Sequence, residues 1–299
     1  MLAMTSQSMK SGHVVSEALG HARTIAIPTL PGLLLFAAAM AGQSYVNQLA
    51  SEGGEAFFYW LFMGMVAIFT GCFWSATMYR RLLPEAGTRT VLADAIRLFL
   101  ANLAVYGLFF IVIFLLTLFF SIFAGVLIDA SGYDPSQNGQ SPEEVWASIE
   151  ALNQSGAASV LYILLVIATA GLVWLGLRLF LFGAATVAER NLTIFRSWPW
   201  TARHVARIAL LWVSLQLVPW LVLGVVASWI LHLGGMQTIF SFYAGAPAAP
   251  AGTGPLGLSA LVAAATLILA PFYWLGHGLA AALYNRLAPN KVDAETTFG

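Results

Sequence analysis

Arg178 lies inside an apolar stretch running from Ala157 to Ala188 and is the costliest residue in the chain. A charge near the centre of a bilayer costs roughly 2.5–3.5 kcal/mol on insertion scales, so its side chain must face protein or water. Three other polar residues fall at related depths, counted from an arginine at the end of their own apolar stretch. Gln216 is nine positions after Arg207, His277 nine before Arg286, and Thr70 ten before Arg80. Nine positions of helix rise about 13–14 Å, and the twelve from Arg178 to Arg190 about 18 Å. Pro219 and Pro271 lie nearby, and a kink leaves backbone carbonyls open to an arginine donor. Arg178, Gln216, His277 and Thr70 thus form a candidate polar cluster within the membrane. Its chemistry is one of two kinds. Either it holds an anionic, headgroup-like ligand on Arg178, or Arg178 bonds to carbonyls, Gln216 and His277 and locks the helices together.

The remaining inventory argues against catalysis. The six apolar stretches contain no Asp or Glu, which disfavours proton- or cation-coupled transport. The five histidines show no ligand spacing, and no His-Glu-x-x-His, P-loop or Gly-x-Ser-x-Gly occurs. Lysine is confined to Lys10 and Lys291, so no Ser/Lys dyad forms in the membrane. Cys72 is the single cysteine, excluding an intrachain disulfide and a cysteine metal cluster. The expectation is a non-enzyme with no cofactor and no metal.

The composition says which elements carry these residues. Of 299 residues, 60% are hydrophobic and 9% charged, with 13 basic against 13 acidic groups. Soluble domains carry about 25% charged residues, so this chain cannot cover a water-exposed surface. A soluble enzyme, a disordered protein and a nucleic-acid binder are excluded. Mean hydropathy is +0.82. Two lysines against 11 arginines suggest a GC-rich bacterial genome.

A helix of about 20 apolar residues crosses a hydrocarbon core of about 30 Å. Six stretches qualify: 31–49, 56–79, 99–128, 157–188, 208–233 and 256–283. They are read as helices because open strands leave backbone groups unsatisfied in lipid. The fold class is all-α, one polytopic domain of six transmembrane helices. Twelve of the 13 basic residues fall before span 1, between spans 2 and 3, between spans 4 and 5, and after span 6, and none falls in the three opposite loops. This partition predicts both termini in the cytoplasm of a bacterial inner membrane. In loop 129–156, Ser141-Pro142-Glu143-Glu144 reads as a capping box opening a short helix to about Leu152, with Val145, Trp146 and Ile149 on one face. Residues 245–255 read as a Pro/Ala/Gly connector.

Three segments look alike: Val15–Leu19 before Arg23, Leu92–Ile96 before Arg97, and Ile194–Trp198 before Arg203 and Arg207. They read as interfacial amphipathic helices before spans 1, 3 and 5, suggesting a threefold hairpin repeat. Trp198-Pro199-Trp200, beside Arg196 and Arg203, reads as a membrane-interface anchor. Small residues four apart, such as Gly278 and Ala282, permit close helix packing.

The stretch Arg178-Leu-Phe-Leu-Phe-Gly-Ala-Ala-Thr-Val-Ala-Glu189, followed by Phe195-Arg-Ser-Trp-Pro-Trp-Thr-Ala-Arg203, resembles a known bacterial family. These are the six-span proteins grouped with the membrane domain of glycerophosphoryl diester phosphodiesterase, including YciC-like inner-membrane proteins. Arg178, Glu189, Ser197, Trp198 and Thr201 fit its pattern. Trp200 and Arg203 stand where it has leucine and glycine, and its proline is missing near Gly183 and Ala184. The resemblance implies a six-span inner-membrane protein and no phosphodiesterase activity, which in two-part members sits on a separate soluble barrel of about 250 residues. The interface motif is therefore Glu189, Arg196, Ser197, Trp198, Trp200, Thr201 and Arg203. Membrane lipids are the expected partners, with a membrane protein or a second copy beside them. A lipid-interacting or envelope-organising role leads, and a transporter with a central polar cavity around Arg178 is the alternative.

Overall fold

The computed structural model describes residues 11–50, 56–83, 90–130, 142–236 and 253–288. The proposed cap Ser141 and connector residues 245–252 lie outside them, as do the side chains of Val145 and Trp146. Among the described residues every regular element is helical. Six helical segments are long and apolar enough to cross a membrane: Ser11–Leu49, Phe58–Leu82, Val91–Ala130, Ala157–Glu189, Val205–Leu233 and Pro255–Leu287. The chain is a multi-pass, all-α integral membrane protein.

Two compact units emerge. The first comprises residues 1–102 and 178–299, the second residues 103–177. In the first, α1 (Ser11–Ala26) passes through a 3-10 turn (Ile27–Thr29) into α2 (Leu30–Ala50). Pro28 and Pro31 do not break this run, because each sits in a first helical turn, where a missing N–H costs nothing. Helix α1 is the segment expected at the interface before span 1. It packs lengthwise on α12 (Ala270–Leu287) through Val14, Ala18, Ala22 and Ile25, all buried. Backbone approach is close there: a Cβ on Gly278 would lie 2.5 Å from the Ala18 carbonyl oxygen. Arg286 clasps Glu17 at 2.7 Å beside this seam. Helix α2 packs on α3 (Ala56–Leu82) and on α11 (Pro255–Ile268), which in turn meets α10 (Val218–Leu233). At the centre, the Trp74 indole lies between Phe36 and Tyr273, with ring centroids 5.9 and 5.4 Å away.

The segment before span 3 is not a separate interfacial helix. Helix α4 runs unbroken over Val91–Ala130, because nothing between Asp94 and Leu98 punctuates it. Its 40 residues make a rod of about 60 Å, twice the hydrocarbon thickness of about 30 Å.

In the second unit, α4 beyond Leu103 is accompanied by α5 (Pro142–Gln154) and α6 (Ala157–Leu179) up to Leu177. Helix α5 is the short helix expected in loop 129–156, and Ile149 and Leu152 face a cavity of about 480 Å³ together with Ile128, Leu161 and Tyr162. The spanning parts of α4 and α6 expose many large apolar side chains, Phe110 at 70% and Val166 at 67%. In a span such side chains face hydrocarbon.

Candidate functional site

The residues carrying the family resemblance fold into one hydrogen-bonded unit. The stretch expected as a single span from 157 to 188 breaks at Phe180–Leu181: α6 ends at Leu179 and α7 covers Phe182–Glu189. The break coincides with a claim on the Arg178 carbonyl. In an unbroken helix that oxygen serves the amide four residues on. Here it accepts the Ser197 hydroxyl at 3.0 Å and the Thr201 hydroxyl at 3.2 Å. Both hydroxyls come from α8 (Ser197–Thr201) and are fully buried. The Arg178 guanidinium lies 4.5 Å from the Trp198 ring centroid, and the residue is 7% exposed. Cation–π contact with an indole replaces part of the hydration that burial removes.

The rest of the motif tightens the same corner. Arg190 takes the left-handed conformation (φ 59°) and turns the chain out of α7. Arg196 pairs with Glu189, closing the turn. Thr186 and Thr193, both buried, place their hydroxyls 3.5 Å apart across it. Trp200 meets the Tyr284 ring edge-on at 5.8 Å. The two indoles expected to anchor the membrane interface thus make contacts within the protein, one on Arg178 and one on α12.

The structure deals differently with the other members of the expected cluster. Because the helix breaks between Arg178 and Arg190, depth cannot be counted along one rod. Thr70 bonds within its own helix, to the carbonyls of Val66 and Ala67, both at 3.0 Å. His277 Nδ1 meets the Tyr273 carbonyl at 2.7 Å, and its ring lies 4.7 Å from that of Tyr79. Gly183 approaches the same tyrosine, since a Cβ there would be 3.2 Å from its hydroxyl.

Gln216 has a distinct task. It lies in a π-helical turn, Val213–Leu217, between α9 (Val205–Trp212) and α10. Pro219 has no N–H to give the carbonyl four residues earlier, that of Leu215. The Gln216 Nε2 donates to that carbonyl at 2.8 Å, and also to the Phe272 carbonyl at 3.3 Å. Side-chain amide thus replaces the missing backbone amide. Gly276 leaves room for it, because a Cβ there would come within 2.7 Å of the Gln216 Oε1.

One buried charge cluster escaped the sequence reading. Asp94, fully buried, accepts Arg80 at 2.7 Å and Arg97 at 2.8 Å, joining the end of α3 to the start of α4. The Asp94/Arg97 spacing of three was a usable signal, but Arg80 is 14 residues away. Among the described residues no cluster of His, Cys, Asp and Glu could hold a metal ion. The sequence matches no family model, and no curated protein or solved structure is significantly similar to it.

Proposed function

We propose that the chain is a non-enzymatic protein of a bacterial inner membrane that holds anionic lipid headgroups at its arginine-bearing face. We further propose kinship with the six-span family that its Arg178–Arg203 stretch resembles. The observation that supports the lipid reading is the exposure of five arginines at helix ends and turns. Arg80 and Arg97 share Asp94, Arg196 pairs with Glu189, and Arg286 pairs with Glu17. Arg23, Arg81, Arg190, Arg203 and Arg207 are exposed at helix ends and turns. Exposed arginines add positive charge where headgroup phosphates lie. Near an anionic leaflet each basic residue contributes about 1 kcal/mol.

The test is lipid selection by the purified protein in nanodiscs of mixed phosphatidylcholine and phosphatidylglycerol, read by native mass spectrometry. The wild type is expected to retain phosphatidylglycerol, with a preference that falls as salt rises. Replacing Arg190, Arg203 and Arg207 together with Gln is expected to reduce that preference by at least about tenfold. Equal retention of the two lipids by the wild type would end the reading. Reporters fused after residue 140 or 245 test the sidedness; the proposal requires both to report from outside the cytoplasm.

A further inference from the structure

Within the second unit, α4 and α6 flank a cavity of about 460 Å³ that reaches from Ile113 to Ala124 on one helix and from Leu165 to Leu172 on the other. It adjoins the cavity bordered by α5, since Ala124 lines both. Protein interiors leave few voids larger than a water molecule, so a gap of this size between two helices calls for a filler. Most of its wall is apolar, but three hydroxyl-bearing residues line it, Thr117 and Ser121 of α4 and Thr169 of α6. These hydroxyls are treated unlike others in the chain. Thr70, Ser259 and Thr266 each bond back to a carbonyl of the preceding turn, the usual way a helix satisfies a hydroxyl in lipid. Among the described residues Thr117, Ser121 and Thr169 have no hydrogen-bond partner, and all three are exposed.

Depth decides what covers them. Thr117 lies 12 residues before Asp129, and Thr169 lies 12 after Ala157. Both therefore sit about 18 Å in from the α5 end of the helix pair, inside a hydrocarbon layer about 30 Å thick. An unpaired polar group is costly at that depth. An acyl chain would fill the gap but carries no donor or acceptor there. A second copy of this chain, inserted in the same sense, brings the same three hydroxyls to the same depth. A hydroxyl both donates and accepts, so it is its own complement across a two-fold axis. The extent is adequate as well. The two cavities follow α4 from Ile113 to Ile128, about 22 Å of helix, and two helices side by side are about 20 Å wide. With its relief, such a patch is comparable to the roughly 800 Å² that each partner gives a stable interface. We infer that the α4–α6 face joins two copies of this chain into a four-helix bundle, with Thr117, Ser121 and Thr169 hydrogen-bonded across its core.

The experiment dilutes the fluorescently labelled full chain in phosphatidylcholine liposomes and reads the dimer fraction by single-molecule photobleaching. The neutral lipid keeps the outcome independent of any selection of anionic headgroups. The wild type is expected to pass from dimer to monomer as the protein-to-lipid ratio falls. Thr117→Val, Ser121→Ala and Thr169→Val together should weaken the dimer about twentyfold, the effect of three interhelical hydrogen bonds in lipid. Thermal unfolding of that triple variant as a detergent-solubilised monomer should match the wild type, since none of the described residues bonds to these hydroxyls. Ala168→Trp fills the gap and should abolish the dimer, whereas Val166→Trp, 67% exposed and outside the cavity wall, should not. A wild type that is monomeric at every ratio overturns the interface. So does a dimer that tolerates both the triple variant and Ala168→Trp, because its contact then lies elsewhere. Loss of bound lipid from Ala168→Trp with association unchanged assigns the gap to an acyl chain and overturns it too. The hydroxyl triple decides if Ala168→Trp fails to fold.

Discussion

The Arg178 guanidinium rests on the Trp198 indole at 4.5 Å, while its own carbonyl is held by two hydroxyls from the helix that carries that indole. Side chain and backbone of one residue are thus bound by a single turn of chain, 19 to 23 residues later. Replacing Ser197 and Thr201 together with Ala removes both hydroxyl donors from that carbonyl and is expected to cost about 1–3 kcal/mol. Trp198→Leu removes the cation–π contact, worth about 0.5–2 kcal/mol, and Trp198→Phe should recover part of it. Thermal unfolding in a fixed detergent checks both, and a double-Ala variant as stable as wild type would refute the capping role.

Asp94 offers a sharper case. Removing the buried carboxylate deprives two arginines of the counterion they share. Asp94→Leu is expected to destabilise by about 3 kcal/mol, at the low end for broken buried pairs because Arg80 and Arg97 keep some access to solvent. Asp94→Asn should fall between, since it keeps an oxygen acceptor but loses the charge. Chemical unfolding of the three proteins orders them.

Two glycines near the N-terminal seam should behave in opposite ways. Gly278→Ala drives a methyl into the Ala18 carbonyl at 2.5 Å and should cost about 1–3 kcal/mol by parting α1 from α12. Gly20→Ala meets no atom within 4 Å and should be neutral or stabilise by up to about 1 kcal/mol. Protease accessibility of α1 gives a second readout, with cleavage rising only in the Gly278 variant.

The exchange of a side-chain amide for a backbone amide predicts a coupling. Gln216→Leu alone deprives the Leu215 carbonyl of its donor at 2.8 Å. With Pro219→Ala also present, the restored N–H at position 219 can serve that carbonyl, and loss of Gln216 should matter less. A double-mutant cycle by thermal unfolding should show about 1 kcal/mol of interaction between the two positions. Strict additivity would mean the two share no carbonyl.

Length and composition made the spans legible, because a bilayer selects for long apolar helices whatever packs against them. The close approach of α1 and α12 was half legible in the small residues at Gly278 and Ala282. What they pack against was hidden, since Glu17 and Arg286 are 269 residues apart. Helical periodicity also could not show the break at Phe180–Leu181. Every residue there is a good span former, and the break follows from hydroxyls on a distant turn. Asp94 was hidden for the opposite reason: a carboxylate near helix ends reads as exposed until two arginines are seen to enclose it.

The seam between α1 and α12 also imposes an order on biogenesis. Helix α1 can dock only after α12 has left the ribosome. Until then its strip of Val14, Ala18, Ala22 and Ile25 has no mate, and Glu17 has no counterion from Arg286. Contacts so far apart along the chain close late in folding. A nascent protein stalled before residue 270 would display that strip to the membrane's proteases, so α12 acts as the latch that shields it.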